Sequence, residues 1–289
     1  MPKNHVTYIK GDIDLSLQHA VDLNYGLRLT VDYVEEQDLV SRLGYISGYK
    51  SDPNVEENLI DLEKELKTLR ILFPELKKAD FDRSYIEKIR LGCIKLPVGV
   101  ERWTLIPREK LIAPTHDEAI KRVHDLIRET RKGRFIDCCE KRKLQHDDFY
   151  LLDSTVRIFK QLGYEQKGHD ILIVPAQLGL RHGGFSPRRS LAVMNALEFG
   201  ADSYSSGIIL LTHPDRLMNY DDLWINCPGN GFFLKNGEIL FPCYRFGAFG
   251  GCIEYASYPA DHASYARGAS TLFYIKPQSS VASSIAIAS

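Results

Sequence analysis

Apolar residues recur most regularly at Val55, Leu59, Leu62, Leu66, Leu69 and Phe73, at spacings of four and three that place them on one stripe of a helix. Asp52 stands where it caps such a helix, Pro53 fits its first turn, and Pro74 ends it. The stripe is too short for a sustained coiled coil and reads as a helix packed on its own domain. A second strong helix is predicted from Thr115, which forms a capping box with Glu118; Ile120, Val123, Leu126 and Ile127 make its apolar face and Gly133 stops it. His116 and His124 on that helix read as surface residues. Shorter helices are predicted over 15–23, 83–91, 148–162 and 187–199, the last capped by Ser186 with Leu191, Met194 and Leu197 inward.

Strands are predicted over 6–9, 27–34, 101–106 and 170–175. Ile208, Ile209, Leu210 and Leu211 form a continuous apolar run between Gly207 and Pro214 and read as a strand buried on both faces. Asn236-Gly237, set between aromatic-rich segments, predicts a two-residue type I′ turn that pairs 232–235 with 238–241. Charged helices dominate before the polar, glycine-punctuated segment 163–170, and strands, aromatics and glycines dominate after it. The expected class is therefore α+β: a mainly helical part over 1–164, a mixed or antiparallel-sheet domain over 165–276, and a low-complexity tail over 277–289 that reads as irregular.

Composition narrows the functional classes. In 289 residues, 37 Lys plus Arg balance 38 Asp plus Glu, so no overall field draws a polyanion or a membrane surface. The basic stretch 121–143 lacks interleaved aromatics and reads as a solvated helix face and loop, which makes nucleic acid an unlikely partner. No apolar stretch has signal-peptide or membrane-span length, so a cytoplasmic, non-membrane protein is expected. The six cysteines (Cys93, Cys138, Cys139, Cys227, Cys243 and Cys252) contain no C-x-x-C pair and read as reduced thiols; no metal site and no cofactor are expected.

Three places carry candidate chemistry. Arg181, His182, Arg188 and Arg189 surround the start of the helix predicted at 187, where guanidinium forks and backbone N–H groups make an anion site. His213, at the end of the apolar run, with Asp215 shortly after, has the placement of a general base, although a structural turn is the better reading. Segment 243–270 is rich in Tyr, Gly, Ala and Ser, which reads equally as a paratope-like surface and as irregular packing.

The order of elements over about 165–275, namely the helix predicted at 187–199, the SGIILL run, the tryptophan-bearing DDLWINC, the FFLKNGEILF hairpin and the terminal Tyr/Ser/Gly/Ala/Cys-rich run, resembles C-type-lectin-like folds. Most of all it resembles the variable proteins of diversity-generating retroelements. That resemblance implies a ligand-binding surface carried by Tyr244, Phe246, Tyr255, Tyr258, Asp261, His262 and Tyr265, with Trp224 and the hairpin as rigid support. The leading expectation is a non-enzymatic binding protein whose partner is a protein or small molecule. The alternative is an enzyme that holds a small anionic substrate with the 181–189 loop and moves protons with His213 and Asp215.

Overall fold

The computed structural model describes residues 55–90, 100–142, 144, 149–247, 250–264 and 266–275. The elements expected over 6–9, 15–23 and 27–34, together with Cys93, Lys143, Tyr265 and the 277–289 tail, lie outside those residues. The class is α+β, with helices packed on one large mixed sheet.

Helix α1 (Val55–Leu72) buries Leu62, Leu66 and Leu69 against the sheet, with Phe73 just beyond its end, where a 3₁₀ turn opens at Pro74. Helix α2 (Arg83–Arg90) follows, then strand β1 (Arg102–Pro107), the short helix α3 (Glu109–Ile112) and helix α4 (His116–Thr130). The capping box forms: the Glu118 amide donates to Thr115 Oγ1, and the Thr115 amide donates back to the Glu118 carboxylate. Strand β2 (Phe135–Asp137), helix α5 (Cys138–Lys141), strand β3 (Phe149–Leu151) and helix α6 (Asp153–Glu165) lead into the long strand β4 (Ile171–Gly183). Helix α7 (Pro187–Val193), strand β5 (Glu198–Gly200) and helix α8 (Ser203–Thr212) precede β6 (Trp224–Asn226), β7 (Asn230–Phe233), β8 (Ile239–Phe246), β9 (Ile253–Pro259) and β10 (Arg267–Phe273).

The main path through the sheet is β1-β4-β10-β6-β8-β7-β3, with β9 on β8, β2 on β9 and β5 on β10. Pairing is antiparallel except between β10 and β6 and between β2 and β9. Strands β1, β2 and β3 come from before residue 165 and pair with β4, β9 and β7 from after it. The division near 165 is thus not a structural boundary: composition shifts there, but the hydrogen-bonded sheet and a single hydrophobic core run across it.

Several local expectations are corrected. The run Ile208–Leu211 belongs to helix α8, not to a strand. Its N-terminus is fixed by Asp202, whose Oδ1 accepts from the Ser205 amide at 2.6 Å, and every residue of Ser203–Leu211 is buried. A helix buried all round carries no amphipathic period, so a short apolar run does not separate it from a buried strand. Gly207 is what allows this: a Cβ there would stand 2.5 Å from Val123 Cγ1 on α4 and 2.9 Å from the Tyr244 hydroxyl on β8. The hairpin exists in a slipped register. Phe232 faces Leu240 and Phe233 faces Ile239, the Gly237 amide donates to Leu234 O, and only Gly237 of the turn has positive φ. That is a three-residue loop, a type I turn closed by a glycine bulge, which moves each partner by one from the type I′ expectation. The helix expected over 187–199 stops at Val193, leaving Leu197 exposed and 198–200 as strand β5. In the helix expected over 148–162, the first residues form β3 instead, and α6 runs past Gly163. His116 and His124 are not surface residues: the His124 ring is buried against Phe135 and Tyr255, and the largely buried His116 ring packs on Phe149 and Tyr204.

Candidate functional site

Strand alternation sorts segment 243–270 into two populations. On β8 and β9, Tyr244 pairs with Tyr255, whereas Arg245 pairs with Glu254 and Phe241 with Tyr258. Because successive residues point to opposite faces, the first pair goes to the core and the other two to the far side of the sheet. Tyr244 and Tyr255 are therefore core residues, with ring centroids 5.1 Å apart. Tyr244 Oη lies 3.0 Å from His124 Nε2 and 2.9 Å from Ser203 O, Tyr255 Oη lies 2.8 Å from Ser203 Oγ, and His124 Nδ1 lies 3.1 Å from Asp137 Oδ2. Burial pushes both tyrosine hydroxyls well above their ordinary range, so they act as neutral hydrogen-bonding groups.

On the far face the sequence-predicted residues do meet. Trp224 pairs with Arg267 across the parallel β6–β10 junction, and the Arg267 guanidinium lies 3.7 Å from the centre of the Tyr258 ring and 5.2 Å from that of Trp224. The Arg245 guanidinium stands 4.9 Å from the Trp224 ring, with its Nε donating to Glu254 Oε2 at 2.7 Å. His262 continues the row, stacked on Tyr258 with centroids 5.7 Å apart and planes 24° from parallel. Burial and the nearby Arg267 charge hold the His262 imidazole below its ordinary range, so near pH 7 it joins the row as a neutral ring. Trp224 and Tyr258 are half-buried and His262 is exposed, so the edges of this row reach solvent. Phe246 is half-buried against the core, and Asp261 is held by Arg188 Nε at 2.8 Å.

The predicted anion site does not form as expected. Strand β4 continues through Arg181 and His182, and both turn to the buried carboxylate of Glu198, at 3.0 and 2.7 Å. Arg188 is committed to Asp261, and α7 offers only the Ser186 cap to the Arg189 amide. A guanidinium already neutralised by a carboxylate has little left for a ligand anion. The proton-transfer pair is not assembled either. His213 Nε2 lies 2.7 Å from Glu65 Oε1 on α1, Glu65 also accepts from Thr104 Oγ1 and the Leu105 amide, and Asp215 is exposed on the following turn.

Burial pushes the thiols of Cys138, Cys139, Cys227 and Cys252 upward and that of Cys243 up to about 12, so none of these is a thiolate nucleophile near pH 7. No disulfide joins the described cysteines. No helix among the described residues is long and apolar enough to cross a membrane.

One constellation escapes sequence reasoning altogether. Glu109 at the start of α3, His116 at the start of α4 and Asp202 before α8 converge beside a cavity of about 580 Å³ walled by Ile106, Leu111, Val156, Phe159 and Leu172. The first two are seven residues apart with a turn between them and the third lies far downstream, so no motif spacing marks the set; the nearest signal is that all three stand at helix starts. Comparison with protein-family models, curated proteins and solved structures returns no match for this chain.

Proposed function

We propose that this chain is a binding protein that recognises its partner through the far face of the sheet. The observation that carries this reading is the row Trp224–Arg267–Tyr258–His262 with Arg245 beside it, in which rings and guanidinium planes are held in place by one another and by strand pairing. Aromatic and arginine side chains immobilised before binding lose little entropy when a partner arrives, which is why such residues dominate interface energetics. The row offers apolar flat surfaces with charged edges, a match for a partner group that has a flat ring face and polar rim. The C-type-lectin-like resemblance supports the same reading, with Trp224, Tyr258 and His262 as contacts and with Tyr244 and Tyr255 as the core beneath them.

The test is capture on printed panels of glycans and synthetic peptides, followed by affinity measurement for whatever the chain retains. Replacing Trp224 and His262 together by Ala is expected to weaken such binding at least tenfold while leaving the unfolding midpoint within a few degrees. Equal affinity in the double variant, or a panel from which the folded chain retains nothing, would count against this face as the recognition surface.

A further inference from the structure

We propose that Glu109, His116 and Asp202 form a site for one divalent transition-metal ion at the wall of the apolar cavity between α3, α6 and α8. A ligand atom from each lies within 4.8 Å of the other two. For three atoms so placed there is a point within about 3 Å of all of them, against the roughly 2.0–2.2 Å of a bonded zinc, so binding asks for side-chain rotations that draw the three in. One imidazole and two carboxylates are a donor set suited to zinc, iron(II), cobalt(II) or manganese(II).

Two features set this cluster apart from an ordinary surface group of acids. First, His116 Nε2 is buried and makes no hydrogen bond, while Nδ1 lies 2.5 Å from Glu109 Oε1. The nitrogen facing Glu109 is Nδ1, so Nδ1 is the one that would share an ion with the two carboxylates, its proton being displaced on binding, in a ring already held against one of its co-ligands. Second, the Asp202 carboxylate is buried and oriented by the Ser205 amide on Oδ1, the kind of outer contact that aims a metal ligand. Helix capping alone does not call for an acid here, since Asn or Ser caps equally well without charge.

Charge points the same way. One buried and one partly exposed carboxylate share the site, and a divalent ion with a neutral imidazole would balance both charges. The cavity's basic groups do not fill that role in the same way: Arg108 donates to the carbonyls of Gly163, Gln166 and His169, leaving Lys110 and Lys160 on the wall. Glu109 and Asp202 both face the cavity, so three protein ligands would leave the ion coordination positions open to a small molecule there.

The experiment uses the full chain without an affinity tag, stripped with chelator and titrated with zinc(II) and cobalt(II) by calorimetry and visible absorption. The expected result is one saturable equivalent per chain, a cobalt spectrum without a thiolate charge-transfer band, and a rise in unfolding temperature on zinc addition. Asp202→Asn, which keeps the helix cap, and His116→Gln should each weaken binding at least tenfold and abolish the thermal shift. Cys138→Ser should change nothing. Should both variants fail to fold, Glu109→Gln, at the more exposed edge of the site, carries the same expectation. Absence of a saturable equivalent, binding indifferent to the substitutions, or a thiolate band would overturn the proposal; the first of these would leave a proton shared within the cluster as its means of neutralisation.

Discussion

The Nε2 of His124 lies 3.0 Å from the hydroxyl of Tyr244, across 120 residues of sequence, and ties helix α4 to the centre of strand β8. The same hydroxyl lies 2.9 Å from the carbonyl of Ser203 at the start of α8, so one phenol oxygen joins the two helices and the sheet they cover.

Replacing Tyr244 by Phe keeps the ring and deletes that oxygen, leaving His124 and the Ser203 carbonyl short of a partner in the core. The expected loss is about 1–3 kcal/mol of unfolding free energy with little change in compactness. Urea denaturation checks it: the midpoint should fall while the slope stays constant. A midpoint equal to the parent's would show that the hydrogen bond is replaced in place.

His213 and Glu65 form the clearest buried pair between α1 and the end of α8. His213→Ala should cost roughly 1.5–3 kcal/mol, because the carboxylate stays buried with one fewer donor. Adding Glu65→Gln should recover part of the loss, giving a coupling free energy in a double-mutant cycle. Additive effects would mean the pair contributes nothing beyond its two members.

Glu198 supplies a pH dependence of defined sign. Burial raises its carboxyl, but the hydrogen bond and charge of His182, the Thr271 hydroxyl and Arg181 outweigh that and bring it below the ordinary 4.5. A carboxyl whose folded-state value is depressed stabilises the fold while ionised: its contribution is complete above the unfolded value and disappears as pH falls through the folded one. The stability advantage over Glu198→Gln should therefore be constant from about pH 7 to about pH 5.5 and shrink on acidification below about 4.5. An advantage that grew on acidification would contradict the assignment.

Gly268 and Gly179 lie where β10 meets β4, and a Cβ on Gly268 would stand 2.0 Å from Gly179 O. Backbone atoms cannot step aside as a side-chain tip does, so Gly268→Ala should destabilise by about 2 kcal/mol or more, as overpacking does. Gly250→Ala is the contrast, since open space surrounds that position and only its positive φ opposes a side chain. Comparable thermal midpoints for the two variants would refute the steric account.

The C-type-lectin-like resemblance makes a prediction at the level of the gene. If this chain is diversified, copies sequenced across a population of source cells should vary at codons 258, 261 and 262, on the exposed side, and spare those for Tyr244 and Tyr255. Uniform variation, or variation at the buried tyrosines, would remove the support that the resemblance lends to the binding reading.

Where a local rule has one physical solution, the chain alone was sufficient. The Leu62–Leu66–Leu69–Phe73 stripe, the Thr115–Glu118 capping box and the presence, though not the register, of the turn at Gly237 are decided within a few residues, by helical period, by paired hydrogen bonds and by a backbone angle that only glycine adopts freely. The α+β class followed from the sum of such signals. Tertiary structure decided everything that depends on which face a residue turns and on who stands opposite. Ile208–Leu211 became helix because burial on all sides erases the period that distinguishes helix from strand. Tyr244 and Tyr258 have the same chemistry in sequence, yet the pleat sends one to the core and the other to the aromatic row. Arg181 and His182 turn to a glutamate sixteen residues on from His182, and Glu109, His116 and Asp202 come together across more than ninety residues of chain. Burial and long-range pairing are properties of the assembled sheet, and no window of sequence contains them.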